Sequence, residues 1–429
     1  MSGMLATILA AAGGGSSGFG GGGGGGGGGG FGGGGGGFGA GGGGGSPVLF
    51  LFILFAVLVF FAFGAFKTVQ YRRQRAARER RTELAAAEAA NDDADFDPET
   101  VRREAIALFL DVQRLWSAND VEGLERMVGP DLMVEWRRRL EDFRRRGWCN
   151  RCEPLAEPHV EYLGLVNREG EDEDRVVVRI TAPMQDYVVD AGGHVVTKKG
   201  EGDTTTTLTE WWTLHPPGER WRLLSVESEA EGRHNLTSEL IAVPWGDARV
   251  ADAALVEGAV ADRVADGVAV SEIAPAEVDA DARAAALDLS LADGRFAPEV
   301  LEVAARRAVE AWVEAIDGAD DPLEAIADRG AIESLLYGND GDGAGGRTRV
   351  VVRGARVVGL QVVAVDARSE PATMTALVTV EGRRYVEDRD TAAVLGGSKG
   401  SERRSAQRWT FALGDDAATP WRLAAVTDV

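Results

Sequence analysis

Hydrophobic and polar positions fall into three regimes along this chain, and the sharpest comes early. From Val48 to Phe66 nineteen consecutive residues carry no charge, and all are apolar or glycine. At about 1.5 Å rise per residue a helix of that length reaches across the roughly 30 Å hydrocarbon core of a bilayer. Apolar character on every side leaves no polar face for water, so a transmembrane helix is expected over residues 47–67.

Past residue 97 the apolar residues recur at three and four. Asp97-Pro98-Glu99 supplies an N-cap acceptor, a first-turn proline and a carboxylate favoured by the helix dipole. Ala105, Leu108, Phe109, Val112, Leu115 and Trp116 then mark one buried helix face. Asn119-Asp120 opens a short helix with Leu124, and Gly129-Pro130-Asp131 opens a third with Trp136, Leu140 and Phe143. The period then changes to alternation, which predicts strands at 159–167, 175–190, 204–215 and 221–228, separated by turn-rich stretches. Helices followed by an antiparallel meander imply an α+β unit whose helices cover one sheet face.

The same order returns later. Leu163-Gly164-Leu165 and Glu210-Trp211-Trp212-Thr213-Leu214, followed by Trp221-Arg222-Leu223, are echoed by Val358-Gly359-Leu360, Arg408-Trp409-Thr410-Phe411 and Trp421-Arg422-Leu423. Gly164 to Trp212 and Gly359 to Trp409 are separations of 48 and 50 residues, which points to an internal duplication. The expected division is a glycine-rich tether (1–46), the membrane helix (47–67), a basic stalk (68–97), a first domain (98–232), an acidic alanine-rich linker (233–292) and a second, diverged domain (293–429). Pro244-Trp245-Gly246 in the linker is a place where it would dock back onto the first domain.

Charge gives this plan a direction. Residues 1–66 carry no charged side chain, and 27 of the 33 residues from Gly13 to Gly45 are glycine, whose ordering entropy makes a packed core unattainable. Met1 to Ala12 is apolar but lacks the basic residues that open a secretory signal. After the apolar run come Lys67, Arg72, Arg73, Arg75, Arg78, Arg80 and Arg81 against Glu79 alone. Basic residues stay on the cytoplasmic side of a spanning helix and lie against anionic headgroups, so this cluster is a candidate membrane-surface contact. The expected topology is a single-pass protein of the cytoplasmic (inner) membrane, N-terminus outside and C-terminal domains in the cytoplasm. The chain total is −22, so residues 82–429, without the six net positive charges of the collar, carry about −28. Such a body repels nucleic acid and favours partners with basic segments. Two cysteines exclude a disulfide framework and suit a reducing compartment.

Trp116-Ser117-Ala118-Asn119-Asp120, the Gly-Pro-Asp start of the third helix and the closing Glu-x-Trp-Thr-Leu…Trp-Arg-Leu hairpin resemble the C-terminal domain of the mitochondrial inner-membrane translocase subunit 44 and its bacterial relatives. A glycine tract before a membrane segment is similar to the bacterial members. The resemblance covers residues 98–230; the second copy keeps the Trp-Thr-Phe and Trp-Arg-Leu pieces and departs in its helices. It implies the nuclear transport factor 2-like superfamily: two cone-shaped domains, each a curved antiparallel sheet wrapped on helices around an apolar cavity. It also implies membrane association and work beside a protein-transport machine. The motor-recruiting residues of the mitochondrial protein lie outside the shared domain and have no counterpart here.

Chemistry is sparse. Cys149-Asn150-Arg151-Cys152 lacks the second ligand pair of a structural zinc site, and it follows a helix end where a redox pair would open a helix. Tyr162, Asp186, Tyr187, His194 and His215 are the residues an acid/base cavity would draw on, with no spacing that joins any two. Trp211, Trp212, Tyr187 and Trp409 are candidate ligand- or partner-binding residues. In strict alternation Trp211 faces away from Trp212, so one of them should meet a cavity, a partner or water. No catalytic residue, metal or cofactor is expected. The reading is a membrane-anchored, non-enzymatic binder of polypeptide or lipid that assists protein transport; the alternatives are a cavity-based lyase or isomerase, and a structural membrane scaffold.

Overall fold

The computed structural model describes residues 47–91, 93–168, 174–196, 205–216, 221–243, 277–317, 320–338, 346–416 and 419–429. The glycine tract, the Met1-to-Ala12 run and the middle of the acidic stretch, with Pro244-Trp245-Gly246, lie outside the described residues.

One helix, α1 (Pro47–Ala89), runs unbroken through the apolar run, the basic collar and the alanine- and glutamate-rich stalk. Its 43 residues span about 65 Å. Among the described residues no helix is long and apolar enough to cross a membrane. The side chains of residues 47–54, 56, 57 and 61 lie outside that description. Phe55, Leu58, Phe60, Phe63 and Phe66, within the expected span, are exposed.

Three helices follow where the periodicity put them: α2 (Pro98–Ala118), α3 (Val121–Glu125) and α4 (Pro130–Arg146). Asp97 caps α2 by accepting from the Thr100 amide at 3.0 Å, and Asp120 caps α3 by accepting from Gly123 at 2.9 Å. The sheet comprises β1 (Trp148–Pro154), β2 (His159–Val166), β3 (Arg175–Asp190), β4 (Thr205–His215) and β5 (Arg222–Ser228), all antiparallel. Long β3 pairs along one edge with β2 and then β1, and along the other with β4, beyond which lies β5. Strand β1 was not expected, because Cys149 to Cys152 reads as a loop. A complete ladder from Trp148↔Asp190 to Pro154↔Met184 overrides its weak strand preference.

Helices α2 to α4 cover the inner face of this sheet. Trp212 packs there on Phe109 with ring centroids 5.2 Å apart, and Trp116 meets Trp136 edge-on at 5.1 Å. The outer face is not left to solvent as a one-sided α+β unit would be: α1 lies across β2 on that side.

The second sheet is formed by β6 (Glu277–Val278), β7 (Thr348–Asp366), β8 (Thr373–Asp388), β9 (Val394–Gly397), β10 (Arg403–Leu413) and β11 (Trp421–Asp428). Its helices are α5 (Ala280–Ser290), α6 (Pro298–Asp317), α7 (Asp321–Ile326) and α8 (Arg329–Ile332), the last running into a π turn over Glu333–Tyr337. Helix α5 falls in the stretch read as linker, yet Ala286 enters the second core and the Asp279 backbone amide donates to the Val362 carbonyl at 2.9 Å.

The two sheets share a pairing plan. Trp212 opposes Val178, which opposes Tyr162; Trp409 opposes Ala376, which opposes Val362. Bulges fall at matching places, between Tyr162 and Gly164 and between Val362 and Ala364, and again at Thr213/Leu214 and Thr410/Phe411. By this register the Leu-Gly-Leu and Val-Gly-Leu triplets do not coincide, because Gly359 pairs with Thr379, short of the matching bulge. Where β1 and β2 are separate, β7 runs on as one strand, with register irregularities at Arg353/Arg356, Val357/Gly359 and Val362/Ala364.

Candidate functional site

The outer face of the first sheet is where α1, the sheet and the second unit converge. Tyr71, Arg75, Arg78, Thr82, Ala86 and Ala89 recur at three and four along α1 and form its docking stripe, with the last four buried. Arg78 donates to the carbonyls of Leu163 and Ser238, both at 2.7 Å. The Leu163 carbonyl is free to accept because the bulge after Tyr162 takes it out of the ladder. Gly164 has no Cβ to intrude, and one would lie 3.8 Å from the Arg78 guanidinium and 3.1 Å from Val177. Burial, with Arg81 nearby, pulls the Arg78 guanidinium down to about 10. Arg75 pairs with Glu161, which Arg179 also holds at 2.5 Å while reaching Glu229 at 2.8 Å. The Tyr71 ring lies between Arg75 and Arg233, 5.2 and 4.7 Å from its centroid. Burial and Glu229 push its hydroxyl up to about 12.

The basic collar is therefore split. Lys67, Arg72, Arg73, Arg80 and Arg81 are exposed, whereas Arg75 and Arg78 turn into the protein and cannot face a headgroup layer. Lys67 sits 4.7 Å from the Phe63 ring centroid.

Adjacent to this dock, the second unit inserts charge into the first. Arg353, fully buried, lies 3.4 Å from Glu227 and donates to the Val226 carbonyl at 3.4 Å. Glu227 also accepts from Asn235 at 3.0 Å and meets His234 Nε2 at 2.9 Å. Burial would raise the Glu227 carboxyl, but the His234 and Arg353 charges hold it well below the usual range. Tyr385 donates to Glu231 at 2.6 Å, and Arg389 reaches Glu135 on α4 at 2.5 Å, both members of that pair buried. Arg138 pairs with Asp390 at 2.8 Å, and Ala392 enters the first core. Removing one member of a buried pair costs about 3–5 kcal/mol because it strands the other charge, so Glu227 and Glu135 in the first unit depend on Arg353 and Arg389 in the second.

The predicted residues are not gathered into one site. Trp212 and Trp409 lie in the two cores, Trp409 edge-on to Trp312 at 5.8 Å. Trp211 does face the other way, and what it meets is this chain: Leu163, Leu236 and Tyr71. Tyr187 is half-buried on β3, its carbonyl accepting from Asn150 at 3.1 Å. Cys149 and Cys152 sit an odd number of residues apart on β1 and so on opposite faces; Cys152 is buried, with its Sγ 3.0 Å from the Asn150 side chain. Asn150 accepts from the Trp116 indole at 2.8 Å and donates to Asp186 at 2.9 Å. Tyr162 is buried in the core, its hydroxyl pushed far up by burial. His194 is exposed beside Asp190, and His215 Nδ1 lies 3.1 Å from the Asp174 carbonyl.

Two residues that sequence reasoning passed over carry the polar interior and the seam. Glu210, buried, accepts from the Trp212 indole at 2.9 Å, and burial, with Asp186 and Glu231 adding to it, pushes its carboxyl up to about 8. Arg353 ends a Val-Val-Val-Arg run that Arg179 also ends, and a charge closing a β-branched run was the available signal for both ion pairs. A cleft in the second unit bounded by Trp312, Val350, Val380 and Gln407 measures about 10 Å³, room for roughly one water.

Residues 82–228 match the family described as the Tim44-like domain, as the Trp116-to-Asp120 and Glu210-to-Leu223 motifs indicated. No curated protein sequence matches the chain. Among solved structures, the intermembrane space region of the chloroplast protein ARC6 is 15% identical, covering 30% of this chain and 96% of that one at a TM-score of 0.24. An Ntf2-like protein involved in plasmid conjugation is 10% identical, over 76% of this chain and 96% of that one, at 0.17. A cystatin-like protein from Ruminococcus gnavus is 11% identical, over 85% and 95%, at 0.11.

Proposed function

We propose that this chain is a membrane-anchored, non-enzymatic binding protein that holds two cone-shaped domains, the second a diverged copy of the first, against the cytoplasmic face of the inner membrane to bind polypeptide, assisting protein transport. The observation that carries the reading is α1. Its exposed apolar residues from Phe55 to Phe66 continue, in one unbroken helix, into the segment clamped by Arg75 and Arg78. A helix so built joins a bilayer to a folded body with no swivel between them. The Tim44-like match supports work at a membrane, and the matching bulges of the two sheets support the duplication. The excess of acidic residues beyond the collar favours basic, amphipathic segments as ligands.

A scaffold reading draws support from the second unit, whose interior Trp312, Trp409, Phe296 and Trp421 occupy themselves. One experiment addresses both. The full chain, reconstituted in nanodiscs, is titrated with a fluorescent basic amphipathic peptide and with an acidic peptide of equal length. Saturable, salt-sensitive binding of the basic peptide alone is expected; no saturable binding of either overturns the binding function in favour of the scaffold. A reporter fused after Val429 that is active only outside the cytoplasm overturns the orientation.

A further inference from the structure

Residues 231–238 are gripped from three sides. From α1, Arg78 donates to the Ser238 carbonyl at 2.7 Å and Tyr71 lies beneath the Arg233 guanidinium. From the outer face of the first sheet, Trp211 packs so closely on Gly232 that a Cβ there would sit 2.1 Å from the Trp211 Cγ, and Glu227 holds both His234 and Asn235. From the second unit, Tyr385 donates to Glu231, and Gly354, at φ +62°, brings its backbone against His234, where a Cβ would come 2.5 Å from the His234 Cβ. The segment is itself stiff. It forms a 3₁₀ turn over Gly232–Leu236, with Glu231 fixed by the Ser228 amide at 3.0 Å and Asn235 bonded back to the Gly232 carbonyl at 3.2 Å.

We propose that residues 231–238 are a coupling element: α1 seats on the first sheet, and the second unit docks, through one shared arrangement of this segment, so that unseating either partner loosens the other. The reason is steric as much as electrostatic. Gly232 cannot move without displacing Trp211, and Trp211 is the surface on which Tyr71 and Leu236 pack. Glu231 and His234, the points held by the second unit, flank the same glycine. Coupling between distant sites requires an element that both sites bias, and this turn is contacted by α1 on one side and by the second unit on the other. The segment thus reports to the second unit whether the N-terminal helix is in place. The proposal concerns only contacts within the chain and stands whether or not the peptide-binding function holds.

The test is amide hydrogen exchange on the full chain in nanodiscs, comparing Arg78→Ala, Tyr385→Phe and the control Leu108→Ala, which opens the first core from the α2 side. Arg78→Ala should speed exchange about tenfold across 349–356 and 383–388 in the second unit, and Tyr385→Phe should do the same across 71–82 in α1, within the range of coupling between linked sites. Should Arg78→Ala fail to fold, Arg78→Lys keeps the charge, loses the forked donors and is expected to show the same spread more weakly. Effects confined to each variant's own side overturn the proposal. So does a Leu108→Ala control that speeds exchange in the second unit as much as Arg78→Ala does, since general destabilisation then explains the result.

Discussion

Trp212 and Trp409 occupy matching places in their sheets, yet the side chain that receives the indole proton differs. In the first unit it is the Glu210 carboxyl, at 2.9 Å; in the second it is the Gln407 amide, at 3.3 Å. Gln407 spends its other end on Asp428 at 3.0 Å, near the sheet surface, whereas Glu210 is enclosed and has been driven toward its protonated form. An amide and a neutral carboxyl are near-isosteres, so the second unit has fixed by composition what the first reaches by taking up a proton. One residue earlier the contrast concerns coverage. Trp211 is buried beneath Tyr71 and Leu236, and Arg408, which opposes Leu377 as Trp211 opposes Arg179, is exposed. The two outer faces differ because the first carries α1.

Five substitutions bear on that comparison. Trp211→Ala should cost about 3–5 kcal/mol in chemical denaturation, while Arg408→Ala should fall within about 0.5 kcal/mol. Equal effects would mean that the two faces are not differently covered. Glu210→Gln should convert the first unit to the chemistry of the second and raise its stability at neutral pH by roughly 2–3 kcal/mol. The sign follows from a folded-state value near 8 against 4.5: the folded state binds the proton more tightly, so its contribution is complete below pH 4.5 and is lost as pH rises toward 8. The wild type should lose stability at up to about 1.4 kcal/mol per pH unit across that window, and the variant should show a flatter profile. Unchanged slopes would show Glu210 already ionised. The smallest effect belongs to the collar: Arg72→Ala and Arg73→Ala should shift stability by less than about 0.5 kcal/mol. A loss as large as that of Trp211→Ala would place them inside the fold.

Much of the first unit was legible because its signals are local. Asp97-Pro98 and Asp120 cap helices from their own sequence, and the alternation from Arg175 to Asp190 gave the bounds of β3. Strand β1 was illegible, since a ladder to the far half of β3 makes it a strand and nothing within Cys149 to Cys152 does. Alternation correctly sent Trp211 and Trp212 to opposite faces, but it carries no information on a covering helix from far upstream. The collar misled for a related reason. Seven basic residues between Lys67 and Arg81 read as one surface, whereas in the fold Arg75 and Arg78 lie on the docking stripe and Arg72 and Arg73 stay exposed. The seam between the units was foreshadowed only by Arg353, which closes a β-branched run.

The absence of a break in α1 makes its length equivalent to an angle. Each residue added between Phe66 and Tyr71 would lift the body by about 1.5 Å and swing it by about 100° around the helix axis. A single extra alanine would therefore turn the seam-bearing side of the protein by about 100° relative to the apolar end of the helix, while seven would nearly restore the bearing some 10 Å further along. Spacing in this stretch is a compass setting that fixes which way the domains face relative to the apolar end of α1.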